Sequence, residues 1–386
     1  MSEGAGPGIV FVVSDGIRGH ENQSAGIAWW LSELCGARRE TLEIPKIRGW
    51  SRFLWYKIRS RTLRKGTVGA CRAWLGSVPE GKSLLGEVKR ILEESSFRGD
   101  RSLFISAGSA AAPWCLALAR VLGGACCTIM TPSILGTEPF DFAIVPEHDF
   151  PISVPNVLVT LGAPNMIRPD LLKEESRKLS EKFPSSGCER WAILIGGDDA
   201  NYTLSPSWVR KNIPHLLDQA EISRADVYIT TSRRTSPAAE EEIISVVRGK
   251  KCVRALILAS REDWNPVPGM LGLCGKIFCT EDSVSMISEA ATAGCDVRLL
   301  PLEHRAGLRS VFQKAVGRLA DYGLLSERWI WGIPRFDRMT RRMKEKGLLN
   351  LLAEKSPEEK PVRNTAPDLF NEASRSAQWI LERYDC

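Results

Sequence analysis

No run in this chain approaches the roughly 18 consecutive apolar residues that a bilayer-spanning helix needs. The opening residues, MSEGAGPG, have neither the charged nor the apolar region of a secretory leader, so a cytoplasmic location is expected. There is no C-x-x-C pair, and the 11 cysteines mostly sit in apolar contexts such as ACRAWL, PWCLAL, GACCTIM and IFCTED. An odd number of cysteines in such surroundings reads as reduced core thiols, not as a disulfide framework. Histidine is scarce, four in all, with no H-E-x-x-H and no His/Cys cluster, which speaks against a structural zinc site. What is present is ordinary: 386 residues, 44% hydrophobic and 25% charged, enough to bury the cores of two or three soluble domains.

The net charge of +6 is modest, but it is unevenly spread. From Lys46 to Lys65 the chain reads KIRGWSRFLWYKIRSRTLRK, with eight Lys/Arg, no acid, and the aromatics Trp50, Phe53, Trp55 and Tyr56. Three readings stand: a basic helix whose rings pack inward and whose charges are solvated, an anionic membrane surface or lipid-linked ligand, or nucleic acid. We adopt the membrane or acceptor reading for Arg18, Trp50, Arg52, Trp55 and Lys57, and expect no nucleic-acid partner.

Short buried runs recur with helical spacing between them. IVFVV (9–13) is continuous and β-branched, as in a strand covered on both faces of a parallel sheet. It leads through SDGIRGHENQS into a helix predicted over 21–34. LFIS (103–106), CCTIM (126–130), FDFAIVP (140–146) and VLVTLG (157–162) follow. After a charged connection at 165–188, WAILIGG (191–197), DVYITTS (226–232), VRALILA, KIFCT (276–280) and VRLLPL (297–302) alternate with helices near 207–221, 237–247 and 283–293. The expected fold is α/β: two Rossmann-like domains, 1–165 and 166–325, facing a cleft. A helical tail, 326–386, is expected to contain a linker near 354–367 and to end in a helix over 368–384 that packs back on the first domain.

Doubly wound sheets bind ligands outside the carboxyl ends of their strands, so the post-strand loops carry the candidates. After the first strand come Asp15, Arg18 and His20. His20 is suited to act as a general base towards an acceptor hydroxyl, or it merely packs at the helix start. That loop is not the dinucleotide G-x-G-x-x-G, so nicotinamide chemistry gains no support. Glu147 and His148 follow a buried strand and suit an acceptor contact, although an ordinary surface turn is an equal reading. Gly196 and Gly197 directly follow a strand, where bare amides can approach a phosphate. Asp198 and Asp199 lack the further ligands that a divalent cation needs. Thr231, Ser232, Arg233 and Arg234 combine hydroxyls with cations suited to a diphosphate, the plain alternative being solvated loop arginines. Glu281, Asp282, Ser283 and Ser285 open a helix that Ser283 is placed to cap, and Glu289 lies on that helix with the chemistry to accept from a ribose.

These segments carry a resemblance. DGIRGHENQS, FDFAIVPEHD, LGAPN, IGGDDANYTL, ITTSRRT and CTEDSVSMISEAATAG, in this order, resemble the plant mitochondrial fission (elongated-mitochondria) family and its bacterial relatives. The match spans about residues 9–305. That family is similar in turn to GT-B glycosyltransferases, which bind a nucleotide sugar in the C-terminal domain and an acceptor in the N-terminal one. The resemblance implies Glu289 as ribose ligand, Ser283 and Gly197 beside the diphosphate, and His20 as base, with no bound cofactor or metal. It implies a sugar transferase working on a lipid-linked or cell-envelope acceptor at the cytoplasmic membrane face. A nucleotide-sugar epimerase or hydrolase, and a non-catalytic adaptor recruiting a partner to a membrane as the plant members do, remain the alternatives.

Overall fold

The structure is a computed structural model that describes residues 6–46, 50–149, 151, 153–185, 189–199, 201–304, 336–352 and 370–384; side chains at 50–54, 304 and 336–337 lie outside the description. The chain forms two compact units, Met1–Met166 with Asn371–Cys386, and Ile167–Phe370.

In the first unit the order is β1 (Ile9–Ser14), α1 (Arg18–Cys35), β2 (Arg38–Glu43), α2 (Trp50–Ser60), α3 (Val68–Ser77), α4 (Gly81–Ser95), β3 (Ser102–Ala107), α5 (Gly108–Leu122), β4 (Ala125–Ile129), β5 (Phe142–Pro146) and β6 (Val157–Thr160). The six strands are all parallel, in the order β2-β1-β3-β4-β5-β6. Alternation within IVFVV distributes the core: Ile9, Phe11 and Val13 face one cluster with α2–α5, while Val10 and Val12 face another with Ile27 and Leu31 of α1.

The second unit contains α6 (Pro169–Lys182), β7 (Glu189–Leu194), β8 (Tyr202–Thr203), α7 (Pro206–Ile222), β9 (Ala225–Thr230), α8 (Pro237–Val247), β10 (Val253–Ile257), α9 (Val267–Leu273), β11 (Lys276–Thr280), α10 (Val284–Thr292), β12 (Asp296–Leu300), β13 (Glu303–His304), α11 (Phe336–Glu345) and β14 (Asn350–Leu351). Its parallel sheet runs β10-β9-β7-β11-β12-β14, and β8 pairs with β13 separately. Both units are therefore α/β and Rossmann-like.

The last helix, α12 (Glu372–Tyr384), belongs to the first unit. Ala373, Ala377 and Ile380 complete the cluster around Ile27 and Leu31, Trp379 meets Phe142 edge-on at 5.7 Å, and the Glu372 carboxylate accepts from the Leu161 amide at 2.8 Å.

Several sequence expectations change. The first helix begins at Arg18, three residues before the predicted start, because Gly16 turns the chain at φ 75° and Asp15 Oδ1 accepts from the Ile17 amide at 3.1 Å. His20 is consequently helical. The charged connection is the helix α6, whose backbone packs against Gly269 and Gly272 of α9. The edge strands β2, six mostly polar residues, and β14, two residues, were not predicted. The final helix starts at Glu372, not at 368, and the linker near 354–367 lies outside the described residues.

Candidate functional site

The strand orders locate two places where chemistry is expected. In the first sheet, chain connections leave β1 in one direction and β3 in the other, so the switch point lies between the loops that follow β1 and β3. In the second sheet the equivalent point lies between the loops after β7 and β11. Crevices at such points are where doubly wound sheets hold ligands.

At the first switch point His20 and Asp15 meet. His20 Nδ1 lies 2.8 Å from Asp15 Oδ2, and the Asp15 side chain is only 5% exposed against 26% for the imidazole. Burial pushes the Asp15 carboxyl up, but hydrogen bonding and charge from His20 and the Ile17 amide outweigh it, so Asp15 is held below its ordinary value. An ionised Asp15 accepts from Nδ1–H, which leaves Nε2 as the basic nitrogen. Nε2 has no hydrogen-bond partner among the described residues. Gly108, the first residue of α5, forms the seat: a Cβ there would fall 2.5 Å from His20 Cε1, and its φ of 79° also favours glycine. Gly108 was not among the sequence candidates, although it follows a strand as directly as the glycine pair at 196. Arg18 is exposed on the first turn of α1.

The second switch point is tied together by Asp282. Its Oδ2 accepts from the Gly197 amide at 2.9 Å and from Arg234 Nη2 at 2.8 Å, while its side chain is fully buried. Three loops, after β7, β9 and β11, are thus joined at one carboxylate. Gly196 donates to Thr280 Oγ1 at 2.8 Å, and the Thr235 hydroxyl donates to the Gly196 carbonyl at 2.5 Å. The glycine amides are therefore committed to protein groups, a correction to the expectation that they stand bare for phosphate. Both positions require glycine for close packing instead, since Cβ atoms would lie 2.1 Å from Asp282 Oδ2 and 2.2 Å from the Arg234 backbone.

Thr231 is also corrected. It is buried, donates to Glu240 Oε1 at 2.9 Å and accepts from the Ala259 amide at 2.9 Å, so its hydroxyl braces the sheet end. Glu281 likewise accepts from the Leu302 amide at 2.7 Å. Ser232 accepts from the Arg234 amide at 3.1 Å and shapes the turn. Asp198 and Asp199 accept from the amides of Leu204, Asn201 and Tyr202, closing the turn around β8. The groups that face outward are Arg233, exposed and without a hydrogen-bonding or ion-pair partner among the described residues, and Arg234, 41% exposed. Ser283 caps α10 through the Met286 amide at 3.5 Å, and Ser285, half-buried, sits on its first turn. Glu289 is buried in the same helix. Gly294 follows its carboxyl end at φ 72°.

A family model, mitochondrial fission ELM1, matches residues 18–384. The chain belongs to the mitochondrial fission ELM1 family. No curated protein matches the sequence. Among solved structures, this ELM1-family chain is similar to the UDP-GlcNAc 2-epimerase of Methanocaldococcus jannaschii, with 12% identity over 97% of this chain and 99% of that one at a TM-score of 0.48. It is similar to a family 9 glycosyl transferase of Veillonella parvula, with 10% identity over 97% of each chain at 0.44. It is also similar to the ADP-heptose LPS heptosyltransferase II of E. coli, with 10% identity over 82% of this chain and 99% of that one at 0.42.

Two further groups of sequence candidates complete the picture in this ELM1-family chain. Trp55 is exposed and Lys57 half-buried on α2, while the side chains of Trp50 and Arg52 lie outside the described ones. Glu147 and His148 form a short turn after β5, but the carboxylate that orients His20 is Asp15. His148 is buried, which pushes its pKa from 6.5 down to about 4 against a weaker upward pull from Glu147. Burial raises neighbouring Asp149 from 3.8 to about 6.

These shifts act in opposite directions on stability. The unfolded chain protonates His148 below about 6.5 and the folded chain only near 4, so that contribution is present above 6.5 and lost as pH falls towards 4. The Asp149 contribution is present below 3.8 and lost as pH rises towards 6, so the two partly cancel in acid. His148→Gln removes the first, and the ring's 3.8 Å contact with Asp149 goes with it. Relative to pH 7, its urea stability at pH 4.5 should exceed that of the wild type by roughly 2–3 kcal/mol. Identical pH profiles for the two proteins would show that His148 does not titrate as its burial requires.

Proposed function

We propose that the protein is a glycosyltransferase of the GT-B type. It moves a sugar from a nucleotide-sugar donor to a lipid-linked or cell-envelope acceptor at the cytoplasmic face of the membrane. The observation that carries this reading is the pairing of an oriented base with a cationic, helix-capped loop cluster, each at the switch point of its own parallel sheet.

In this reading the first unit is the acceptor half. His20 Nε2 takes the acceptor hydroxyl proton, Asp15 stabilises the imidazolium that forms, and the freed oxygen attacks the anomeric carbon. The nucleoside diphosphate departs with the bonding electron pair. In the second unit Arg233, Arg234 and the amino-terminal end of α10 with Ser283 and Ser285 meet the developing negative charge, and Glu289 accepts from the ribose. This arrangement uses fixed cations and a helix dipole and calls for no metal or resident cofactor.

Thermal unfolding against a panel of nucleoside diphosphates and nucleotide sugars tests the donor half. A true donor at 100 times its dissociation constant should add about 2.7 kcal/mol. The gain should vanish in Glu289→Ala, and a panel in which no nucleotide raises the midpoint would defeat the donor reading. Turnover of the donor without any acceptor would instead identify an epimerase or hydrolase. Membership of a family named for mitochondrial fission favours one second reading, a membrane-recruitment adaptor, in which Glu289→Ala leaves the cellular phenotype intact.

A further inference from the structure

We propose that the outer face of α2 and of the turn that follows it docks on an anionic phospholipid bilayer. The inference deepens the acceptor side of the function proposed above and rests on that reading for its purpose, although its test does not.

One side of this segment is fastened down. Tyr56 is buried, its hydroxyl donates to the Ala110 carbonyl at 2.6 Å, and its ring meets Trp74 edge-on at 5.8 Å. Ser60 and Leu63 are fully buried on the same side. The other side presents Trp55, 43% exposed, and Ile58, 54% exposed, followed by Val68, 46% exposed, at the start of α3. These are three of the eight exposed large apolar side chains among the described residues, gathered within 14 positions. Arg59 lies over the Trp55 ring at 5.9 Å. Arg59, Arg61 and Lys65 are exposed and have no ion-pair partner among the described residues. In sequence, no Asp or Glu occurs from Ile44 to Pro79, while nine Lys/Arg do.

The combination selects the occupant. Nucleic acid neutralises cations through its phosphates but offers little that rewards burial of Ile58 and Val68. A protein partner would have to bring matching carboxylates to Arg59, Arg61 and Lys65, because charges buried at the core of an interface are costly unless paired. The headgroup layer of an anionic bilayer accepts both components, with tryptophan and aliphatic side chains entering the interface and each cation adding about 1 kcal/mol. The placement has a consequence for chemistry. Tyr56 anchors α2 to Ala110, and Gly108, two residues earlier on α5, is the seat of the His20 ring. A bilayer under α2 therefore holds the candidate base close to the surface that carries a lipid-linked hydroxyl.

Flotation of the full chain with vesicles tests this. Phosphatidylcholine vesicles containing 30% phosphatidylglycerol should carry the protein at low salt, and pure phosphatidylcholine should not. Raising salt to 1 M should release it, since screening then acts within about 3 Å. Arg59→Gln/Arg61→Gln should weaken partitioning roughly 30-fold, and Trp55→Ala/Ile58→Ser roughly tenfold, with circular dichroism checking that each variant stays folded. No flotation on anionic vesicles, undiminished flotation of either variant, or tighter binding to duplex DNA than to vesicles would each overturn the proposal. Flotation needs neither nucleotide nor turnover, so a failed donor-site reading and a failed docking surface give separate results.

Discussion

His20→Ala is expected to lower transfer by roughly 10²- to 10⁴-fold, the range set by loss of a positioned general base, while the donor-induced thermal shift persists. The base and the donor groups belong to different units, so removing the imidazole leaves Arg233, Arg234 and Ser283 in place. Two companions sharpen the result. Asp15→Asn keeps a side chain of the same shape but removes the charge that orients Nδ1–H, so it should cost part of the rate with little change in acceptor KM. Gly108→Ala forces a Cβ to 2.5 Å from His20 Cε1 and should reproduce much of the His20→Ala defect without touching the ring. Full activity in His20→Ala would remove this residue from the mechanism.

Asp282→Ala is expected to uncouple the three loops of the second unit. It leaves the buried Gly197 amide without its acceptor, which by itself costs about 1–3 kcal/mol. It also frees Arg234 from the contact that aims its guanidinium. The unfolding midpoint should fall by several degrees and nucleoside diphosphate binding should be lost with it. Asp282→Asn separates these roles, because an amide oxygen still accepts from Gly197 while the ion pair with Arg234 is gone. We expect near-normal stability but roughly tenfold weaker diphosphate binding, the loss of about one charge-assisted hydrogen bond from a guanidinium no longer aimed. An Asp282→Asn protein that binds nucleotides as tightly as wild type would make the carboxylate a brace only, with no part in positioning Arg234.

Much of the architecture was legible because parallel strands declare themselves locally. IVFVV, LFIS and WAILI are continuous apolar runs that only a sheet covered on both faces can bury, and all three are strands. Ser283 was readable as a cap for a similar reason, since its partner is the amide three residues on. The edge strands β2, with the polar sequence RRETLE, and β14, only two residues long, gave no comparable signal, whereas the apolar edge strands β6 and β10 did.

The residue types of the site followed from sequence alone: a histidine and an aspartate in one post-strand loop, arginines and hydroxyls in another, a capped helix in a third. Which of them are free for a ligand was decided by tertiary structure. Thr231 and Arg233 share one post-strand loop, yet Thr231 is buried against Glu240, nine positions away, and Ala259, 28 positions away, while Arg233 is exposed. The glycine pair looked like a bare phosphate cradle until Thr280 and Asp282, 84 and 85 positions further on, took up its amides. Hydrogen bonds over such separations form only when the strand order brings β7 beside β11. Local spacing determines which groups lie at the ends of strands. The packing of the sheet determines which of those groups already have partners, and so which remain for chemistry.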